Sequence, residues 1–151
     1  YGRIDYRNDD VLPAHIRKFI YTGYMKSYYT EYKFDSKTEL DFSFILENDG
    51  KVFKWLRPAK EQFNIYWSNG SRRYEPDFVV ETEHYIYMIE TKAANEMTNE
   101  EVLMKKQAAE EYCRNATEYN LGNDGKAWKY VLIPHDKVKR TSSFEYLIAT
   151  H

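Results

Sequence analysis

The strongest constraint on the fold comes from residues 74–92, where two β-prone runs meet at a short polar turn. Pro76-Asp77 precedes the first run, and Glu90-Thr91-Lys92 ends the second. Successive residues of a strand point to opposite faces, so Glu90 and Lys92 share one face. If the hairpin turns at Glu83-His84, paired residues have numbers that sum to 167, and Asp77 lies opposite Glu90. Opposed residues of antiparallel strands share a face, which predicts that Asp77, Glu90 and Lys92 converge on one side of the sheet.

This convergence depends on the length of the loop between the two strands. A loop of two or four residues preserves it, whereas a loop of three shifts the register by one residue and sends the two acids to opposite faces. Glu83-His84 is not a typical two-residue turn pair, because neither residue favours positive φ. The hairpin is therefore predicted by the pattern, and its register is an inference.

Length and charge limit the classes of protein that the sequence can represent. With 151 residues the chain is predicted to form a single domain. Its formal net charge of −2 excludes binding to nucleic acid through bulk positive charge, so such a function needs local basic patches. The single cysteine and the absence of a long apolar run predict a cytoplasmic location. We expect the chain, which begins at Tyr1, to be a fragment of a longer protein.

The predicted elements alternate between helix and strand. Ser36 and Glu39 have the spacing of a capping box and predict a helix that stops at Asn48-Asp49-Gly50. Thr98 and Glu101 repeat that form ahead of a helix to about residue 119. Strands are predicted over residues 51–56, 62–67 and 127–133, together with the hairpin, and a short helix over 142–150. The run 127–133 is nearly continuous in apolar residues, as in a central strand covered on both faces. Residues 1–15 are predicted to be an arm or linker. The order predicts an α/β fold with a mixed central sheet flanked by helices.

The predicted trio of Asp77, Glu90 and Lys92 suits metal-assisted hydrolysis of a phosphodiester. Two carboxylates offer the hard oxygen ligands that Mg²⁺ prefers, with water and substrate phosphate completing its shell. The ion would polarise the phosphate and lower the pKa of an attacking water. Lys92 is then placed to hold that water or to neutralise the charge that develops in the transition state. An ordinary cross-strand charge pair is the alternative, but neighbours such as Val79 and Met88 make these strands too apolar for a surface hairpin.

Pro76-Asp77, twelve intervening residues and Glu90-Thr91-Lys92 resemble the signature of the PD-(D/E)xK nuclease superfamily. Flanking segments extend the likeness to the C-terminal endonuclease domain of type III restriction enzyme Res subunits and related helicase-nucleases. These segments are Lys33-Phe34-Asp35-Ser36, Trp55-Leu56-Arg57-Pro58, Arg73-Tyr74-Glu75-Pro76, Glu90-Thr91-Lys92-Ala93 and Tyr130-Val131-Leu132-Ile133-Pro134. The resemblance covers residues 32–136 and implies a restriction-endonuclease-like core.

The resemblance also implies roles for residues outside the trio. In the superfamily an acidic residue on the helix before the sheet joins the metal site, and Glu39 is the best match, with Glu47 second. The capping box competes for Glu39, because the same carboxylate would bond back to the backbone of Ser36. A basic residue on the following helix often lies near the scissile phosphate, and helical spacing favours Lys105 over Gln107.

The function implied is a Mg²⁺-dependent endonuclease, with Mn²⁺ as a substitute, in which Asp77, Glu90 and Glu39 hold the metal. Arg72, Arg73 and Lys105 would contact phosphates of double-stranded DNA. No GxxxxGK[ST] motif is present, so ATP-driven movement would belong to an upstream helicase domain of the same protein, with a modification subunit as a further partner. The alternatives are a catalytically silent nucleic-acid-binding or docking module of a helicase, and a metal-independent protein-interaction domain.

Overall fold

The computed structural model describes residues 2–59, 62, 65–67, 72–122 and 125–149, and for residues 67 and 72–74 it describes the backbone alone. Three α-helices lie in this part of the chain: α1 (Lys37–Asn48), α2 (Glu100–Leu121) and α3 (Phe144–Ala149). The strands in the same part are β1 (Gly2–Asp5), β2 (Phe19–Thr22), β3 (Glu31–Tyr32), β4 (Lys54–Leu56), β5 (Ile65–Trp67), β6 (Arg72–Tyr74), β7 (Phe78–Glu81), β8 (Tyr85–Lys92) and β9 (Ala127–Pro134). The fold is α/β, as predicted.

The main sheet has the strand order β4-β7-β8-β9. The first three strands are antiparallel neighbours, and β9 runs parallel to β8. Two parallel neighbours cannot be joined by a tight turn, and α2 supplies the long crossover between them. The sheet is therefore mixed, in agreement with the prediction.

The hairpin between β7 and β8 has the register that the sequence predicted. Phe78 pairs with Ile89 and Glu81 with Ile86, so the numbers of paired residues sum to 167. The amide of Thr82 donates to the carbonyl of Tyr85 at 2.9 Å and closes a two-residue loop. An even loop keeps the alternation in phase on both strands, and extending the observed register by one residue sets Asp77 opposite Glu90.

The two faces of the main sheet pack against different layers. One face buries Phe78, Val80, Tyr87 and Ile89 in a cluster with α1, α3 and the small sheet β1-β2-β3. The opposite face carries Met88, which packs with Ile65 of β5 and with Ala109 and Cys113 of α2. Burial of a large apolar side chain contributes roughly 1.5–3 kcal/mol, so these two clusters hold the layers together. Glu90 shares the face of Met88 by strand alternation.

The helix caps agree with the sequence pattern to within one residue. The hydroxyl of Ser36 accepts a hydrogen bond from the amide of Glu39 at 3.2 Å, and α1 begins at the next residue after Ser36. For α2 the cap is Asn99, whose side chain accepts from the amide of Glu101 at 2.9 Å. The predicted cap at Thr98 is therefore one residue early. Asn is the stronger N-cap residue of the two.

The prediction of an arm over residues 1–15 is wrong where the structure describes it. Strand β1 pairs in parallel with β2, and the buried ring of Tyr6 stacks on Tyr24 with 4.5 Å between ring centroids. A strand of four residues is too short to show a period in the sequence. Its stability comes from the aromatic rings that close over it, which local pattern does not reveal.

Strand β9 lies at the end of the main sheet and is not the central strand that its apolar sequence predicted. Helices α2 and α3 both contact it, so an edge strand acquires the burial of an inner one. The predicted turn at residues 68–71 lies outside the described residues. Among the helices of the described ranges, none has the length and apolar character needed to cross a membrane.

Candidate active site

Asp77 lies immediately before β7, at the point where that strand meets the end of β8. Its Oδ2 accepts hydrogen bonds from the backbone amide of Thr91 at 2.9 Å and from the Thr91 hydroxyl at 3.0 Å. Thr91 is buried, so both donors are held by the surrounding packing. The paired donors fix the direction of the Asp77 carboxylate at the end of the sheet.

Glu90 brings the second carboxylate to this place from β8. The residue as a whole is half-buried, but its Oε2 is shielded from solvent and has no hydrogen-bond partner within the described part of the chain. A buried polar atom without a partner costs roughly 1–3 kcal/mol, and such atoms are few in native proteins. The arrangement therefore leaves one oxygen of Glu90 ready to accept a ligand.

The electrostatics show that the two acids interact. Burial, together with the charge of Glu39, raises the pKa of Asp77 to about 6 against the opposing effects of Thr91 and Arg57. Burial also raises the pKa of Glu90 well above its ordinary value, and the charge of Asp77 adds to this effect. Two carboxylates that each disfavour the other's ionised form are stabilised by a cation placed between them.

Two lysines are near enough to act on Glu90. The charges of Lys92 and Lys105 both lower the pKa of Glu90 against the effect of burial. Lys92 follows Glu90 by two residues on β8 and makes no ion pair among the described residues. Lys105 lies on α2, and its ammonium is 3.2 Å from the Glu101 carboxylate. Gln107 is exposed on α2, consistent with the predicted orientation of that helix.

Glu39 approaches the acid pair from α1, but other groups hold both of its oxygens. Oε1 accepts from the backbone amide of Asp35 at 2.7 Å, and Oε2 accepts from the Arg57 guanidinium at 3.1 Å. The capping bond therefore reaches Asp35, one residue before the expected Ser36. The charge of Glu39 raises the pKa of both Asp77 and Glu90, so Glu39 contributes to the field of the site.

Glu47, the second choice for this role, is not part of the site. It is buried, and its carboxylate accepts hydrogen bonds from the backbone amides of Met25 and Lys26 and from the Trp55 indole at 3.0 Å. These donors belong to the loop after β2 and to β4. Glu47 therefore joins that loop to the helix and to the sheet.

Two residues of the site were not singled out from the sequence. Arg57 bridges Glu39 to Asp35, with 3.2 Å between its Nη2 and the Asp35 Oδ2, and its charge lowers the pKa of Asp77. Thr91 orients Asp77. The sequence signal for Arg57 is its place directly after the predicted strand 51–56. In the structure, the pairing of Leu56 with Val79 sets Arg57 opposite Phe78, next to Asp77. The sequence gives no indication that Thr91 belongs to the site, because strand alternation turns its side chain away from that of Glu90.

The described residues bring together Asp77, Glu90 and Lys92, with Lys105 and Glu39 close by. Within these residues, no group of three or more His, Cys, Asp or Glu side chains is placed to hold a metal ion. The side chains of Arg72 and Arg73 lie outside the part that the structure describes. No protein-family model matches this chain, and no curated protein matches it either.

Proposed function

We propose that this chain is a Mg²⁺-dependent endonuclease domain that hydrolyses phosphodiester bonds of double-stranded DNA. The observation that carries the proposal is the buried Oε2 of Glu90, which lies beside the carboxylate of Asp77 and has no hydrogen-bond partner among the described residues. Burial raises the pKa of both acids, and the charge of Asp77 raises that of Glu90 further, so the pair is costly unless it serves a ligand. The ligand that suits them is a cation.

The donor set fits Mg²⁺, with Mn²⁺ as a substitute. Mg²⁺ binds through one or two carboxylates and completes its shell with water and substrate phosphate, so Asp77 and Glu90 would hold it without a third acid. Glu39, whose oxygens are engaged by Asp35 and Arg57, stays a prediction as a further ligand. When bound, the ion supplies Lewis acidity to the phosphate and lowers the pKa of an attacking water.

The other side chains would position the Asp77 carboxylate and the attacking water, and would neutralise charge on the phosphate. Thr91 holds the Asp77 carboxylate in one direction through its two hydrogen bonds. Lys92 would orient the attacking water or neutralise charge on the phosphate, because its ammonium acts on Glu90 and makes no ion pair among the described residues. Lys105, with Arg72 and Arg73, would contact flanking phosphates.

The arrangement of elements supports a restriction-endonuclease-like core as part of the proposal. Helix α1 precedes strands β4, β7 and β8, and α2 then leads to β9, which is consistent with the mixed sheet flanked by helices that the resemblance implies. In the same proposal the domain works in the cytoplasm as the cleavage module of a type III restriction-type helicase-nuclease. An upstream helicase domain would deliver DNA to it, and a modification subunit would assist.

The test is cleavage of supercoiled plasmid with Mg²⁺ or Mn²⁺. We expect metal-dependent nicking that EDTA stops and that Lys92→Ala removes. The matched control is Lys129→Ala, which removes an exposed lysine of β9 that stacks on Tyr85. Equal nicking by Lys92→Ala and wild type would reject the proposal. DNA binding without any metal-dependent nicking would favour the silent docking module instead.

A further inference from the structure

A groove on the main sheet is not used by the proposed chemistry. Its cavity has a volume of about 610 Å³, and its walls come from the loop after β2 and from strands β4, β7, β8 and β9. We call it the β4 groove and define it by the lining residues Tyr28, Lys54, Leu56, Val79, Ile86 and Trp128. A volume of this size lies within the range of roughly 300–1,000 Å³ that is typical of small-molecule sites.

The β4 groove exists because α2 covers only part of one sheet face. The helix packs on Met88 of β8 through Ala109 and Cys113, and it has many contacts with β9. Val79 and its partner Leu56 lie on the same face, closer to the other side of the sheet. The β4 groove lies over this part of the face.

One lining residue of the β4 groove, Val79 of β7, lies close along the chain to Asp77. Val79 follows Asp77 by two residues, and two residues of a strand span about 7 Å. Nucleotides of one strand in a duplex rise by about 3.4 Å each. A nucleotide next to a phosphate held at Asp77 and Glu90 therefore reaches the groove within about two steps.

We propose that the β4 groove binds an unpaired nucleobase of the strand that is cut, an inference that rests on the proposed nuclease function. The substrate class is then DNA with an unpaired or extruded base within a few nucleotides of the scissile phosphate. A base has two flat apolar faces, and it gains free energy by stacking on aromatic side chains whatever its identity.

The lining residues favour a base over a bare phosphate. Leu56, Val79 and Ile86 form an apolar floor, which offers a phosphate nothing in exchange for its hydration. The ring of Tyr28 is 75% exposed at the wall of the groove, and Trp128 lines it from β9. These aromatic side chains supply the stacking surface.

The charge at the groove favours the backbone of a nucleic acid. Lys54 is exposed at the rim. Its cross-strand neighbour Glu81 forms an ion pair with Lys126 at 2.6 Å, so Lys126 already neutralises the acid at this end. Lys54 makes no ion pair within the described ranges, so its ammonium would pair with a phosphate that follows the bound base.

Binding is measured on 20-nucleotide DNA in EDTA, where a proposed metal-dependent cut does not interfere. The probes are a perfect duplex and the same duplex with one unpaired 2-aminopurine, whose fluorescence falls when it stacks. We expect the unpaired base to bind about tenfold more tightly than the perfect duplex, with quenched fluorescence. Tyr28→Ala should abolish this preference and Tyr28→Phe should keep it. Tyr119→Ala is the matched control, because Tyr119 is an exposed tyrosine outside the groove.

The outcomes separate this inference from the proposed function. If nicking is metal-dependent and requires Lys92 but both probes bind with equal affinity, the inference about the β4 groove is overturned and the proposed function stands. If base binding depends on Tyr28 but no metal-dependent nicking occurs, the inference about the β4 groove is supported and the proposed endonuclease function is overturned. A preference that survives Tyr28→Ala would leave the groove to another occupant, such as an apolar segment of a protein partner, and would overturn the inference.

Discussion

Two glutamates, Glu47 and Glu90, occupy protected positions, and their surroundings differ. Glu47 accepts hydrogen bonds from two backbone amides and from the Trp55 indole. Glu90 has a buried oxygen with no hydrogen-bond partner in the described residues, and another acid lies beside it. Both have apolar neighbours on their own element. Their hydrogen-bond partners distinguish them.

The difference separates structural from functional burial of charge. A carboxylate with several fixed donors stabilises the contact that supplies those donors, and removing it leaves the donors unsatisfied. A carboxylate that keeps an open oxygen beside a like charge costs free energy in the unliganded protein, and that cost is recovered when a cation binds. Variants at the two positions should therefore have opposite effects on stability and activity.

The largest expected effect is on cleavage. Glu90→Gln removes the charge that would hold the metal, so plasmid nicking should fall about a thousandfold, as expected from the loss of several kcal/mol of metal-assisted stabilisation. Initial nicking rates at saturating Mg²⁺ measure it. Glu47→Gln is the matched control and should stay within a few-fold of wild type where both are folded. Similar losses of nicking in Glu90→Gln and Glu47→Gln would contradict the distinction between a functional and a structural glutamate.

The second effect is on folding. Glu47→Ala leaves the Trp55 indole and two backbone amides without their acceptor, so the free energy of unfolding should fall by about 3 kcal/mol. Urea unfolding followed by circular dichroism measures this change. A loss below about 1 kcal/mol would mean that water replaces the carboxylate, and that Glu47 does not hold the loop.

The third effect depends on pH. The pKa of Asp77 rises from 3.8 to about 6 on folding, so between these values the folded chain binds more protons than the unfolded chain. The contribution of Asp77 to stability therefore falls as pH rises through this window, and above it the ionised carboxylate destabilises the fold by about 2 kcal/mol after allowance for partial exposure.

Asp77→Asn should remove this penalty while its amide oxygen still accepts from Thr91. Urea unfolding in EDTA should then show the variant equal to wild type near pH 4 and more stable by about 2 kcal/mol at pH 8. Asp41→Asn is a control, since Asp41 is an acid of α1 that is bound to Lys37 and Arg140. A variant that is less stable than wild type at pH 8 would show that the Asp77 charge is structural.

Much of the hairpin was predictable, because alternation of residue type and an even loop together fix which side chains share a face. The register, the faces of Asp77 and Glu90 and the extent of α1 all follow from such local rules. Features that arise from distant contacts were not predictable. The strand at the N-terminus depends on Tyr6 stacking on Tyr24, and the edge position of β9 depends on two helices that hide its apolar side chains.

The candidate site also depends on contacts between distant residues that the sequence does not reveal. Sequence spacing brought the acids together, but it could not decide whether Glu39 caps a helix or binds metal, because Arg57 comes from another element. The guanidinium of Arg57 takes one oxygen of Glu39, and the amide of Asp35 takes the other. Whether an acid is open or engaged depends on its three-dimensional partners, which is the property that separates Glu47 from Glu90.

The smallest effect is a shift in melting temperature on adding metal, and it tests directly whether the open oxygen of Glu90 receives a cation. At ten times its dissociation constant, Mn²⁺ should stabilise the folded chain by about 1.4 kcal/mol, which corresponds to roughly 3–6 °C for a domain of this size. Scanning calorimetry at pH 8 measures the shift. Glu90→Gln should abolish it, whereas Glu47→Gln should keep it despite a lower starting temperature. A shift that persists in Glu90→Gln would place the bound ion elsewhere, since a neutral amide beside one carboxylate binds a hard cation far more weakly than two carboxylates do.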